Sequence, residues 1–107
     1  MLVKLLFICS QNKNRSRTAE DLFRGKYETR SAGLYNEHPV TAKELEWADT
    51  ICVMEEEQRH ELGKRFPGLY LKKRILCLDI PDVYIYNDPE LVEQLERKVN
   101  AALEEKK

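Results

Sequence analysis

The sequence predicts an α/β fold, a four-stranded parallel sheet with helices on both faces. Two observations carry that expectation. Short, almost wholly apolar runs recur at Leu2–Ile8, Thr50–Met54 and Ile75–Leu78, with a weaker one at Tyr27–Ala32. Such runs lack the apolar–polar alternation of a half-exposed sheet and suit strands covered on both sides. Between them lie segments with helical spacing, and strands alternating with helices favour parallel crossovers.

The first run leads into Cys9-Ser10-Gln11-Asn12-Lys13-Asn14-Arg15-Ser16, a polar loop. A helix follows from Ser16 to Arg24, with Ala19, Leu22 and Phe23 on one face and Gly25-Lys26 ending it. Gly33 stops the second strand, and His38-Pro39 precedes a short helix, Thr41 to Ala48, whose Leu45 and Trp47 reach the core. Glu55 to Phe66 reads as a charged helix closed by Pro67-Gly68. Asp88-Pro89-Glu90 begins the last helix, with Asp88 as N-cap and Pro89 in the first helical position. Leu91, Val92, Leu95, Val99, Ala102 and Leu103 form its apolar stripe, and Glu104 to Lys107 are expected to fray.

At 107 residues the chain is expected to form one domain spanning 1–107. A hydrophobic content of 42% in periodic runs argues against disorder despite 35% charged residues. The net charge of −1 supplies no global attraction to nucleic acid or to an anionic membrane, so neither is expected as a partner. Lys13, Arg15, Arg17 and Arg24 gather near the loop, whereas Lys72-Lys73-Arg74 reads as a solvated approach to a strand. The odd set Cys9, Cys52 and Cys77 matches no paired zinc spacing and no disulfide framework. The N-terminal run, broken by Lys4, is not expected to be a signal peptide, and nothing reaches membrane-spanning length. A cytoplasmic setting with reduced thiols is the expectation.

In parallel α/β sheets ligands bind beyond the carboxyl ends of the strands, where the strand order reverses. The Cys9–Ser16 loop belongs there. Its backbone N–H groups and the N-terminus of the following helix make an anion cradle. Cys9 would lie beneath the anion and Arg15 could clamp it bidentately. The loop contains no glycine, so it is not a Gly-rich nucleotide loop. Asn12 and Asn14 are the residues that tolerate left-handed backbone angles there.

Cysteine, five residues and then Arg15-Ser16, opening a helix after a strand, resembles the phosphate loop of cysteine-dependent phosphatases. More closely it is similar to the low-molecular-weight protein tyrosine phosphatase family. Asn12, Ala19-Glu20, Ser31-Ala32-Gly33, Ala48 to Met54 and Asp82-Val83-Tyr84 lie in register with that family's segments. The resemblance implies a flavodoxin-like, phosphatase-type sheet and hydrolysis of a phosphotyrosine protein or a small aryl phosphate, with no metal or other cofactor. Cys9 would be the nucleophile, its thiolate favoured by Arg15 and the helix N-terminus. Ser10, Gln11, Asn12, Lys13, Asn14 and Ser16 would form the substrate cradle, and the Ser16 hydroxyl could donate to the sulfur. Asp82 would be the general acid, with Asp79 the rival; Tyr84 and Tyr86 could wall the pocket or simply pack. Ser31 would brace Asn12.

The sequence also departs from the family. Gln11 stands where glycine is usual, Asn14 where a second cysteine is common, and Arg17 and Val83 where prolines are common. The stretch between Gly33 and Ala48 is shorter, trimming one wall of the cleft. Two other readings stand beside hydrolysis. One is a non-catalytic phosphate-binding module. The other is arsenate reduction, which needs cysteines on a mobile segment. His38 and His60 read as surface residues, and Glu55-Glu56-Glu57 as a helix start rather than a metal site.

Overall fold

The computed structural model describes residues 2–104. Strands β1 (Lys4–Cys9), β2 (Glu28–Gly33), β3 (Thr50–Val53) and β4 (Arg74–Cys77) form one sheet in the order β2-β1-β3-β4, every pair parallel. The helices are α1 (Arg15–Phe23), α2 (Ala42–Trp47), α3 (Glu56–Arg65), α4 (Pro67–Lys72) and α5 (Pro89–Glu104). The chain leaves β1 for one edge and later returns to β1's other side. The crevice beyond the end of β1 is therefore the switch point of the sheet.

Strand alternation divides the core in two. Leu5, Phe7 and Cys9 face α1 and α5, where Ala19, Phe23, Leu91, Leu95 and Val99 bury their side chains. Leu6 and Ile8 face the opposite way, against Leu34, Val40, Leu45, Ile51, Val53 and Leu62. Each large aliphatic side chain so buried contributes about 1.5–3 kcal/mol. Both faces of β1 are buried from Leu5 onward, which explains the apolar run Leu5–Cys9.

The local signals account for most helix ends. Thr41 caps α2 in a reciprocal box with Glu44, and Asp88 accepts from the Glu90 amide at 2.9 Å ahead of α5. Gly25 ends the α1 turn at φ 99°. One expectation needs correcting: Pro67-Gly68 does not simply end a helix. Pro67 is the first residue of α4, where a missing N–H costs nothing, and Leu69 and Tyr70 pack partly onto the second core. Residues 105–107, expected to fray, lie outside the described residues.

Candidate active site

Cys9 is the last residue of β1 and is 3% exposed. Beyond it the chain turns sharply at Asn12, φ 55°, an angle that asparagine tolerates better than most residues. The Asn12 amide donates to Cys9 Sγ at 3.2 Å, and Ser16 Oγ lies 2.9 Å from the same sulfur. Ser16 Oγ also reaches Asn12 Oδ1 at 2.7 Å. A hydroxyl has one proton to give, so the bond it makes depends on the state of the thiol. When the thiol carries its hydrogen, Cys9 can donate to Ser16; when it does not, Ser16 can donate to sulfur. Asn14 precedes α1 without capping it through its side chain, which leaves the helix N-terminus open toward the loop.

Arg15 is 2% exposed, the largest of the fully buried side chains. Its Nη1 donates to Glu55 Oε1 at 2.7 Å and to the Ile80 carbonyl at 2.8 Å. Its Nε lies 3.6 Å from Asp82 Oδ1. Fixing Nη1 on the protein leaves the Nε–Nη2 edge for a ligand, the fork that matches a phosphate. Cys9, Gln11, Lys13, Asn14, Arg15 and Asp82 together line a hollow of about 230 Å³. The mainly polar lining contains no aromatic side chain.

Neighbouring elements hold the loop. Leu34 and Tyr35 donate their amides to the Ser10 carbonyl at 3.0 and 2.9 Å. Gly33 makes that approach possible, because a Cβ there would meet the Asn36 side chain at 2.9 Å and the Gln11 carbonyl carbon at 3.0 Å. On the other side Gln58, fully buried, accepts from the Met54 and Glu55 amides at 2.7 and 2.9 Å and donates to Ser10 Oγ at 3.3 Å. Glu55 and Gln58 were not among the site residues expected from sequence. Their three-residue spacing at the end of an apolar strand was the available signal.

The sequence-derived candidates separate clearly. Gln11, Lys13 and Asn14 line the hollow, while Ser10, Asn12 and Ser16 support it. Asp82 is at the hollow; Asp79, φ 57°, lies instead with Cys77 and Lys98 in a different one. Tyr84 does not line the hollow: it packs against the first core and its hydroxyl accepts from Gln94. Ser31 does not reach Asn12. Its hydroxyl donates to Glu20 Oε1 at 2.5 Å, because β2 runs beside α1, and Ser16 takes the bracing position. Burial pushes the Cys52 thiol up to about 12, and desolvation also raises that of Cys77, with Glu56 adding to the effect. Neither suits a thiol relay.

No family model matches the sequence, and no curated protein matches it. Solved structures do match in shape. The tyrosine phosphatase Wzb from Escherichia coli K30, in complex with phosphate, superposes with a TM-score of 0.77 at 21% identity, covering 98% of this chain and 99% of that one. The YwlE arginine phosphatase from Geobacillus stearothermophilus gives 0.74 at 19%, covering 96% and 92%. A low-molecular-weight protein tyrosine phosphatase from T. tengcongensis gives 0.74 at 18%, covering 96% and 99%. The chain has the fold of these phosphatases.

Proposed function

We propose that the chain is a cysteine-dependent phosphatase that hydrolyses phosphotyrosine or a similar aryl phosphate through a phosphocysteine intermediate. The observation that carries this reading is the placement of Cys9 Sγ, held by Ser16 Oγ and the Asn12 amide, under a hollow lined by Arg15 and Asp82. The thiolate attacks phosphorus and the bond to the leaving oxygen breaks. Arg15 and the loop amides hold the equatorial oxygens as their charge redistributes. Asp82 gives its proton to the departing oxygen, then takes one from the water that cleaves the phosphorus–sulfur bond. Ser16 donates to sulfur as it leaves. A reducing cytoplasm suits an exposed-pocket thiol with no neighbouring cysteine in the loop.

The polar lining favours a second reading. Neither Tyr84 nor Tyr86 lines the phosphate hollow, so it offers no ring to stack on an aryl group. Since one similar structure is named an arginine phosphatase, a phosphoarginine peptide is the comparison substrate. The test is turnover of p-nitrophenyl phosphate, a phosphotyrosine peptide and a phosphoarginine peptide in the presence of a chelator. Turnover lost in Cys9→Ser supports a phosphatase, and the peptide ratio selects the leaving group. Phosphate binding without turnover of any of the three would make the chain a binding module.

A further inference from the structure

Beside the phosphate hollow lies a second hollow of about 310 Å³, lined by Lys13, Arg17, Asp21 and Tyr86. Lys13 lines both, so the two adjoin at this side chain. The walls are built. Tyr86 hydrogen-bonds Asp21, and the Asn87 amide donates to Thr18 Oγ1 at 2.8 Å, so the segment after Asp82 is tied to α1 at its far end. That bond to Asp21 raises the Tyr86 hydroxyl above the ordinary phenol range.

The charges do not cancel within this hollow. Asp21 pairs with Arg24 at 2.9 Å, and Arg24 also reaches Glu20 at 3.7 Å. Arg59 and Arg65 elsewhere likewise lie against carboxylates. Among the described residues, Lys13 and Arg17 form no ion pair, and both are exposed beside the neutral Tyr86 ring. Two uncompensated cations next to an apolar plate suit a carboxylate on a short methylene stem.

We propose that Lys13, Arg17 and Tyr86 form a subsite for an acidic side chain flanking the phosphorylated residue of a protein substrate. The proposal rests on the phosphatase reading and extends it to substrate choice. Long-range attraction would raise the rate of productive encounter, and salt would screen it.

The experiment compares two phosphotyrosine peptides, flanked on both sides by Glu or by Gln, with p-nitrophenyl phosphate as a substrate too small to reach the subsite. In wild type, kcat/KM favours the Glu peptide by about five-fold, the upper range for an exposed ion pair, and high salt removes the difference. Arg17→Gln loses the preference and keeps p-nitrophenyl phosphate turnover. Equal rates on both peptides in wild type, or a preference that survives in Arg17→Gln, overturns the subsite. If wild type turns over none of the three substrates, the phosphatase reading fails instead. The same peptide ratio is then read as binding to wild type and Arg17→Gln by calorimetry, with the same outcomes deciding.

Discussion

Glu55 offers the sharpest test of how the arginine is held. Arg15 is 2% exposed, and its Nη1 has two close acceptors, Glu55 Oε1 at 2.7 Å and the Ile80 carbonyl at 2.8 Å. Asp82 is farther away, at 3.6 Å, and is itself 62% exposed. Replacing Glu55 with Gln retains an oxygen acceptor but removes its charge, a loss of about 1 kcal/mol from the charged-bond advantage. Glu55→Ala removes the bond entirely. Breaking a fully buried pair costs about 3–5 kcal/mol, but Glu55 is 39% exposed and water can replace part of its contact, so about 2 kcal/mol is expected. For a chain of this size those losses lower Tm by about 5 and 10 °C. The kinetic effect is separate. A guanidinium released at Nη1 no longer presents its free edge at a fixed angle, and such misplacement costs up to about 100-fold in kcat. Phosphate inhibition should change much less, because removing a negative charge near the pocket offsets the poorer geometry. Thermal melts and p-nitrophenyl phosphate kinetics on Glu55→Gln and Glu55→Ala measure both effects. Wild-type kcat in both variants, with a lowered Tm or without, would refute the claim that Glu55 positions Arg15.

Other expectations follow from the same geometry. Asp82→Ala should slow phenyl phosphate far more than p-nitrophenyl phosphate, because the better leaving group needs less protonation; equal loss on both would argue against an acid role. Asp79→Ala should leave both rates unchanged. Ser16→Ala, which removes the hydroxyl 2.9 Å from Cys9 Sγ, should lower kcat by about 10-fold or more, with phosphoenzyme accumulating in rapid-quench experiments. Gly33→Ala should cost about 1–3 kcal/mol in stability through overpacking against the Gln11 backbone, with activity reduced as the loop shifts. In mass-mapped labelling with iodoacetamide at neutral pH, Cys9 should react and be protected by phosphate. Cys52, buried and pushed up to about 12, should remain unlabelled until the chain unfolds. Cys77, raised by desolvation, should label slowly and faster as pH increases, because its thiolate fraction grows with pH.

The features legible in the amino-acid order are mostly local. The apolar run Leu5–Cys9, the asparagine at the left-handed turn and the Arg15-Ser16 start of a helix lie close together in the chain. Their chemistry can be read without knowing what packs on them. The alternation of apolar runs with helical segments carried the parallel sheet, since burial on both faces leaves a compositional trace. Asp82 was legible only through its register with a known family, and Asp79 stood as a rival because both follow β4.

Tertiary structure decided the rest. Which aspartate faces Cys9 depends on how the segment after β4 crosses the end of the sheet, and that path brings the Ile80 carbonyl and Asp82 to Arg15. In sequence Glu55 is one of three glutamates at a helix start, yet β3 pairs directly with β1 and carries it to the buried guanidinium. Ser31 and Tyr84 had suitable chemistry for the site, but strand register and the packing of α5 turn them to Glu20 and Gln94. The distinction has a physical cause. Backbone propensity and burial pattern act over a few residues, whereas Arg15 finds its partners Glu55, Ile80 and Asp82 at least 40 residues further along the chain.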